Sequence, residues 1–282
     1  MPRHAHLPVH VPADATDVVA TGPRPFVTTV TYVLPDGRRR QWRARQDRRA
    51  THRGLTWRIG LLFGIGSVCF VLGPIPAYGQ AVGGQAVAVT FFVGSLFFTS
   101  GALLSYAQVV RDAGHRWVGW EPRHAGFWAT LIQLVGTVYF NVSTFAAMFD
   151  VPDNLVDRVV WRPDALGSIC FLVASAIAFA EAGHRWWSWR PGERDWHITA
   201  LNMWGSVFFG FSAVGAYVQP TGDLTNVQWS NGGTLLGAAC FLAASLLTMG
   251  EGRQDQSTEA GQATRRTAGG SQAPDSAAGP GR

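Results

Sequence analysis

The stretch Arg58-IGLLFGIGSVCFVLGPIPAYGQAVGGQAVAVTFFVGSLFFTSGALLSYAQVV-Arg111 encloses 52 consecutive residues without Asp, Glu, Lys or Arg. A bilayer core takes about 20 apolar residues per helix, so this length predicts two spans and a turn, with Pro74, Pro76 and Gly79 to Gly84 supplying the turn. Working outward, further uncharged stretches cover 125–149, 165–180, 198–222 and 224–250. Six membrane helices follow. The run at 165–180, between Asp164 and Glu181, is short for a span, and its assignment rests on topology.

Arginines near membrane helices stay on the cytoplasmic side. Nine lie from Arg38 to Arg58, then Arg111, Arg116 and Arg123 follow the second span, and Arg185, Arg190 and Arg194 follow the fourth. The alternate loops hold either no arginine (78–85 and 219–229) or Arg158 and Arg162 outweighed by Asp150, Asp153, Asp157 and Asp164. Only six spans with both termini cytoplasmic satisfy that alternation, which predicts a multi-pass protein of the cell (inner) membrane. The first apolar run begins near Trp57 behind a polar leader, so no cleavable signal peptide is expected. The net charge of +5 is thus mainly a record of orientation, and nucleic acid is not the expected partner. The expected contacts are the bilayer and anionic headgroups at the cytoplasmic face, beside Arg48, Arg49, Arg53 and Arg58.

Every helix repeats a shorter pattern: glycine, a small residue, two others, then Phe. It reads Gly66 to Phe70, Gly94 to Phe98, Gly136 to Phe140, Gly167 to Phe171, Gly205 to Phe209 and Gly237 to Phe241. Residues i and i+4 share a helix face, so each helix offers a notch with a ring one turn away, and an antiparallel neighbour can seat its Phe in that notch. Lipid gives helices no hydrophobic reason to associate, so small-residue packing must hold the bundle. Gly60-xxx-Gly64 and Gly233-xxx-Gly237 extend such faces. A longer period of about 70 residues repeats Ala113-Gly-His-Arg-Trp117 as Ala182-Gly-His-Arg-Trp186. The expected fold is all-α: a six-helix integral membrane bundle of three tandem parallel hairpins at 57–110, 125–182 and 196–250.

The paired Gly-Ser-x-x-Phe helices, Gly66 to Phe70 and Gly94 to Phe98, resemble the YrhK-like membrane domain, a two-helix hairpin family. The likeness is clearest over 57–110 and recurs twice more to about residue 250, with Ala238 departing at the small position. The resemblance implies a fold unit and no catalytic residue.

Outside the spans, residues 1–25 and 252–282 read as disordered, being rich in Pro, Ala and His and in Gly, Ala, Ser and Gln. Between them, 26–56 reads as an Arg-rich cytoplasmic segment. Within it Val27 to Leu34, the turn Pro35-Asp36-Gly37 and the return from Arg38 to Arg45 suggest a short β-hairpin over 27–45.

All 23 basic residues are arginine, so lysine-dependent phosphate and Schiff-base chemistries are excluded. Neither a nucleophile elbow nor a zinc-protease helix is present. The chain is therefore expected to be non-enzymatic, a structural or accessory membrane component with no cofactor or metal. Two other readings have residues to stand on. Gln108, Glu181 and Glu251, each fourteen residues after the glycine of an even-numbered span, would form a polar ring at the mouth of a channel or transporter path on the pseudo-threefold axis. His115 and His184, with His124 and His197, would serve a haem- or quinone-linked component. Gln133, Asn141 and Asn202 are the deeper polar groups, expected to join helices by hydrogen bonds. Cys69, Cys170 and Cys240 are odd in number and lie inside spans, which predicts packing rather than disulfides.

Overall fold

A computed structural model describes residues 7–45, 52–116, 118–217, 219 and 224–269, with side chains given as far as Gly250 except that of Asp153. After a small sheet come the helices α1 (Arg53–Leu72), α2 (Pro76–Val82), α3 (Gly84–Asp112), α4 (Ala125–Ala146), α5 (Asp153–Val156), α6 (Arg162–Gly183), α7 (Arg194–Gly215) and α8 (Val227–Gly269). Six stretches are long and apolar enough to cross a membrane: Arg53–Leu72, Gly84–Asp112, Ala125–Ala146, Asn154–Gly183, Arg194–Gly215 and Val227–Gly250. The shortest has 20 residues, about 30 Å of helix at 1.5 Å per residue, which matches a hydrocarbon core.

The fourth span is longer than its uncharged core because α5, a π-helical turn at Asp157–Trp161 and α6 run on as one helix of 30 residues, Asn154–Gly183. The widened turn stands immediately before Pro163. A proline there lacks an N–H and crowds the carbonyl four residues earlier, and an i→i+5 turn opens the room it needs. Arg162 Nε donates to Asp157 Oδ2 at 2.8 Å, so this end of the span carries a paired charge. Trp161 Nε1 donates to Ala213 O at 2.8 Å and ties this turn to α7.

Each long helix packs beside the next in sequence, α1 on α3, α3 on α4, α4 on α6, α6 on α7 and α7 on α8, and α8 returns to α1. The result is a closed ring. Its outward surface is apolar and exposed, with Val68, Leu96, Leu103, Val138, Ile169, Leu172, Leu236 and Leu246 among the side chains turned away from the ring. On the inside, Phe70, Phe98, Phe140, Phe171, Phe209 and Phe241 converge with Ala238 in one buried cluster. Ring centroids stand 5.2 Å apart for Phe140 and Phe171, 5.5 Å for Phe70 and Phe98, and 5.5 Å for Phe209 and Phe241. Other pairs reach across between helices that are not neighbours, such as Phe70 to Phe209 at 5.8 Å and Phe98 to Phe171 at 6.2 Å. Aromatic rings at these separations interact favourably edge to face, and here they fill the middle of the axis.

Glycine makes that convergence sterically feasible. A Cβ on Gly66 would lie 2.9 Å from Phe98 and one on Gly94 3.0 Å from Phe70. The same exchange joins Gly136 with Phe171, Gly167 with Phe140, Gly205 with Phe241 and Gly237 with Phe209. In each pair the two glycines receive each other's i+4 ring, a relation that antiparallel neighbours alone can satisfy. The residue after each glycine is also buried: Ser67, Ser95, Thr137, Ser206 and Ala238 have no exposed surface, and Ser168 is 2% exposed. Cys69 and Cys170 present Cβ atoms to Gly94 and Gly136, at 2.7 and 2.8 Å from where a methyl would stand, so both act as packing groups.

The sheet has three antiparallel strands in the order β1 (Thr16–Thr21), β2 (Thr29–Val33), β3 (Arg39–Arg43). The predicted hairpin is its β2–β3 half, in the register Val30 to Trp42 and Tyr32 to Arg40. Pro35-Asp36-Gly37 turns it: Gly37 N donates to Leu34 O at 2.9 Å and Gly37 takes φ +79°, the left-handed position that closes a three-residue loop. Strand β1 corrects the expectation of disorder over 1–25. Asp17-Val-Val-Ala-Thr21 sits among prolines that suppress a sequence signal, yet Val19, Ala20 and Thr21 pair with Thr31, Val30 and Thr29. At the other end, the backbone of α8 is helical to Gly269, beyond the predicted start of a disordered tail at 252. The remainder, 270–282, lies outside the described residues. The chain is thus mostly helical with a small sheet rather than all-α.

Candidate functional site

The sheet caps the end of the ring where α3 and α6 finish and α4 and α7 begin. Phe26 packs against Ala125, Ala129 and Ile177, wedging between α4 and α6. Trp186 Nε1 donates to Arg24 O at 3.3 Å. Trp42 meets His124 edge-on at 6.3 Å.

The repeated Ala-Gly-His-Arg-Trp segments terminate their helices differently. In the first copy Gly114 takes the left-handed conformation (φ +90°) after α3 ends at Asp112. In the second, α6 runs through Gly183 and His184 itself is left-handed (φ 56°). That brings His184 Nδ1 to 2.9 Å from Thr28 Oγ1 and 3.2 Å from Thr29 Oγ1 on the sheet. Burial pushes the His184 imidazole below its ordinary pKa, and Arg190 and Arg43 push the same way against Glu193 and Glu181. Its copy, His115, instead stands with Nε2 2.9 Å from Glu121 Oε1. Glu121 also lies 3.7 Å from His124, and His197 Nε2 is 2.7 Å from Pro191 O. His115 and His124 thus share Glu121, while His184 and His197 have partners of their own. Among the described residues no group of three or more His, Cys, Asp or Glu is placed to hold a metal ion.

Between the Phe cluster and the cap lies a cavity of about 130 Å³ on the axis. Its floor is formed by Phe63, Phe98 and Phe241, and its mouth by Gln108, Glu181 and Arg45. From Phe98 to Gln108 is ten residues of α3, so the cavity spans about 15 Å at 1.5 Å per residue. Glu181 is 1% exposed although it carries a carboxylate. Arg45, reaching in from just beyond β3, places Nη1 3.8 Å from Glu181 Oε2 and donates Nε to Asp195 Oδ1 at 3.3 Å. A buried carboxylate is tolerable only with such compensation. Gln108 Nε2 donates to Thr56 Oγ1 at 2.7 Å and clamps α3 to α1 at the same level.

Of the three residues predicted to ring the mouth, Gln108 and Glu181 do line it. The side chain of Glu251 lies outside the described residues, and Ser245 and Thr248 represent α8 on the wall. The deeper amides divide. Asn141 joins helices as expected, its Nδ2 donating to Thr99 Oγ1 at 2.9 Å. Gln133 and Asn202 instead face the cavity from α4 and α7. The expectation that they too join helices is corrected, because hydroxyls already do that work: Ser175 meets Ser206 at 2.8 Å between α6 and α7, and Ser95 meets Thr144 at 3.0 Å between α3 and α4. Arg45 and Asp195 escaped sequence reasoning. Both stand at predicted segment boundaries among many charges, where neither composition nor spacing marks one over its neighbours.

Compared with protein-family models, with curated proteins and with solved structures, the chain matches none.

Proposed function

We propose that the chain is a non-enzymatic structural or accessory component of the cell membrane, seated with its sheet and both termini in the cytoplasm. The observation that carries this reading is the meeting of six Phe rings, one from every span, in the middle of the ring. A conducting path needs polar lining and water, and a core of aromatic rings packed mostly edge to face offers neither. Orientation is supported by the arginines at the sheet end. Exposed Trp120, Trp186, Trp187 and Trp189 there and Trp229 at the far end fit the two interfaces of a spanning bundle. Arg53 and Arg58 at the start of α1 would meet anionic headgroups, while Arg48 and Arg49 lie outside the described residues. We read the three Gly–Phe exchange pairs as copies of one YrhK-like hairpin, each with the same orientation in the membrane. A second reading, a small channel or transporter along the pseudo-threefold axis, is favoured by the polar cavity on one side of the Phe cluster.

Proteoliposome flux decides between them. Vesicles holding the full chain should be as tight to sodium, potassium and protons as protein-free vesicles, while Phe98→Ala with Phe171→Ala should leak. Saturable flux through the unaltered protein would overturn the closed-axis reading. For orientation, a cytoplasm-active reporter fused after residue 155 should be silent.

A further inference from the structure

The hydroxyls that line the axial cavity all turn the same way. Ser105 Oγ donates to Gly101 O at 2.9 Å, Thr130 Oγ1 to Gly126 O at 2.8 Å, Ser245 Oγ to Phe241 O at 2.8 Å and Thr248 Oγ1 to Ala244 O at 2.8 Å. Each hydroxyl has one hydrogen, so what these four turn to the cavity is lone pairs. The Glu181 carboxylate is acceptor-only when ionised, and the Gln133 and Asn202 amides add one carbonyl oxygen each beside their N–H groups, so acceptors outnumber donors on the wall without excluding them. An acceptor-rich wall calls for a donor-rich occupant. Size sets the upper limit: an apolar cavity of about 150 Å³ accepts benzene, so about 130 Å³ suits a planar group of roughly four to six heavy atoms.

The protein already supplies one group of that description. Arg45 carries its guanidinium from the cap to the mouth of the cavity, against Glu181 and Asp195. We propose that the axial cavity is a binding site for a small guanidinium-type cation, and that Arg45 is a built-in competitor for it at Glu181. The inference does not depend on whether the Phe cluster ever opens.

The test uses the full chain purified in detergent, with methylguanidinium chloride and its uncharged isostere methylurea at matched ionic strength. Methylguanidinium should bind saturably by calorimetry and raise the unfolding midpoint, and methylurea should do neither. Glu181→Gln should lower the affinity at least tenfold. Arg45→Ala should raise it, a direction that a merely structural role for Arg45 would not produce. Equal response to the two probes, unchanged affinity in Glu181→Gln, or no tightening in Arg45→Ala would each overturn the proposal. If Glu181→Gln does not give monodisperse protein, Thr130→Val takes its place. It removes a wall acceptor and should weaken methylguanidinium binding, and unchanged binding there refutes the site.

Discussion

Replacing Gly94 by Ala isolates the contact that holds the first helix pair together. The new methyl would stand 2.7 Å from Cys69 Cβ and 3.0 Å from the Phe70 ring. Carbon atoms settle at about 3.5–4.0 Å, so α1 and α3 must separate by roughly 1 Å at their crossing. Such overpacking costs about 1–3 kcal/mol. Ala also gains up to about 1 kcal/mol over Gly in a helix, which partly hides the cost. Gly210→Ala in α7 removes that ambiguity, because nothing lies within 4 Å of its added methyl. The difference between the two variants is then the clash alone. At about 2–4 °C per kcal/mol, Gly94→Ala should unfold between about 2 and 12 °C below Gly210→Ala in detergent, followed by tryptophan fluorescence. Cys69→Gly, which removes the struck atom, should restore part of the loss in the double variant. Equal midpoints for the two single variants would refute the notch-and-ring account of the bundle.

The cap should respond to acid. His184 is held below the ordinary imidazole pKa of about 6.5, so the unfolded chain takes up its proton first as pH falls. The contribution is complete above about 6.5 and is lost as pH drops below it towards the lower folded value. Amide protection in β2 should decline over that window, and His184→Gln should flatten the decline. Gln108→Leu breaks the 2.7 Å bond to Thr56 and should cost about 1 kcal/mol, whereas Gln85→Leu, which loses an exposed 3.1 Å bond to Met148 O, should stay within about 0.5 kcal/mol of the parent by the same unfolding assay.

What could be read from the sequence follows from periodicity and what could not follows from distance. Gly and Phe four residues apart share a helix face whatever the partner, so the notch, the ring and the antiparallel exchange are implied locally, and Gly66 with Phe98 shows the geometry that this requires. The depth of Gln108 and Glu181 is equally local, since a helix fixes height by counting residues. Nothing local says that α8 returns to α1, or that six rings from six helices meet at one level. Nor does spacing reveal that Arg45, more than 130 positions from Glu181, reaches into the same cavity. The β1 strand was hidden for a related reason: its six residues, 16–21, have little apolar alternation, and their pairing is with β2 rather than with anything in their own pattern. Gln133 and Asn202 carry no mark that separates a cavity wall from a helix contact, because an amide serves either.

Closure of the ring between α1 and α8 has a consequence for the order of biosynthesis. Gly60 in α1 is shaped to lie against Met249 and Ser245, where a Cβ would stand 2.8 Å from Met249 Cγ and 3.1 Å from Ser245 O. Those residues belong to the sixth span and leave the ribosome after the other five. Until they arrive, one flank of the first helix faces lipid with a groove and no occupant, and the arch of the other helices has no keystone. Every other junction can form between neighbours as they emerge, but this one waits until all six spans have been made. A chain cut short before Val227 would lack Phe241 as well as the closing wall, and would present the membrane's quality-control proteases with an open arc. The seam between α1 and α8 is thus the contact that separates a closed ring from an open arc.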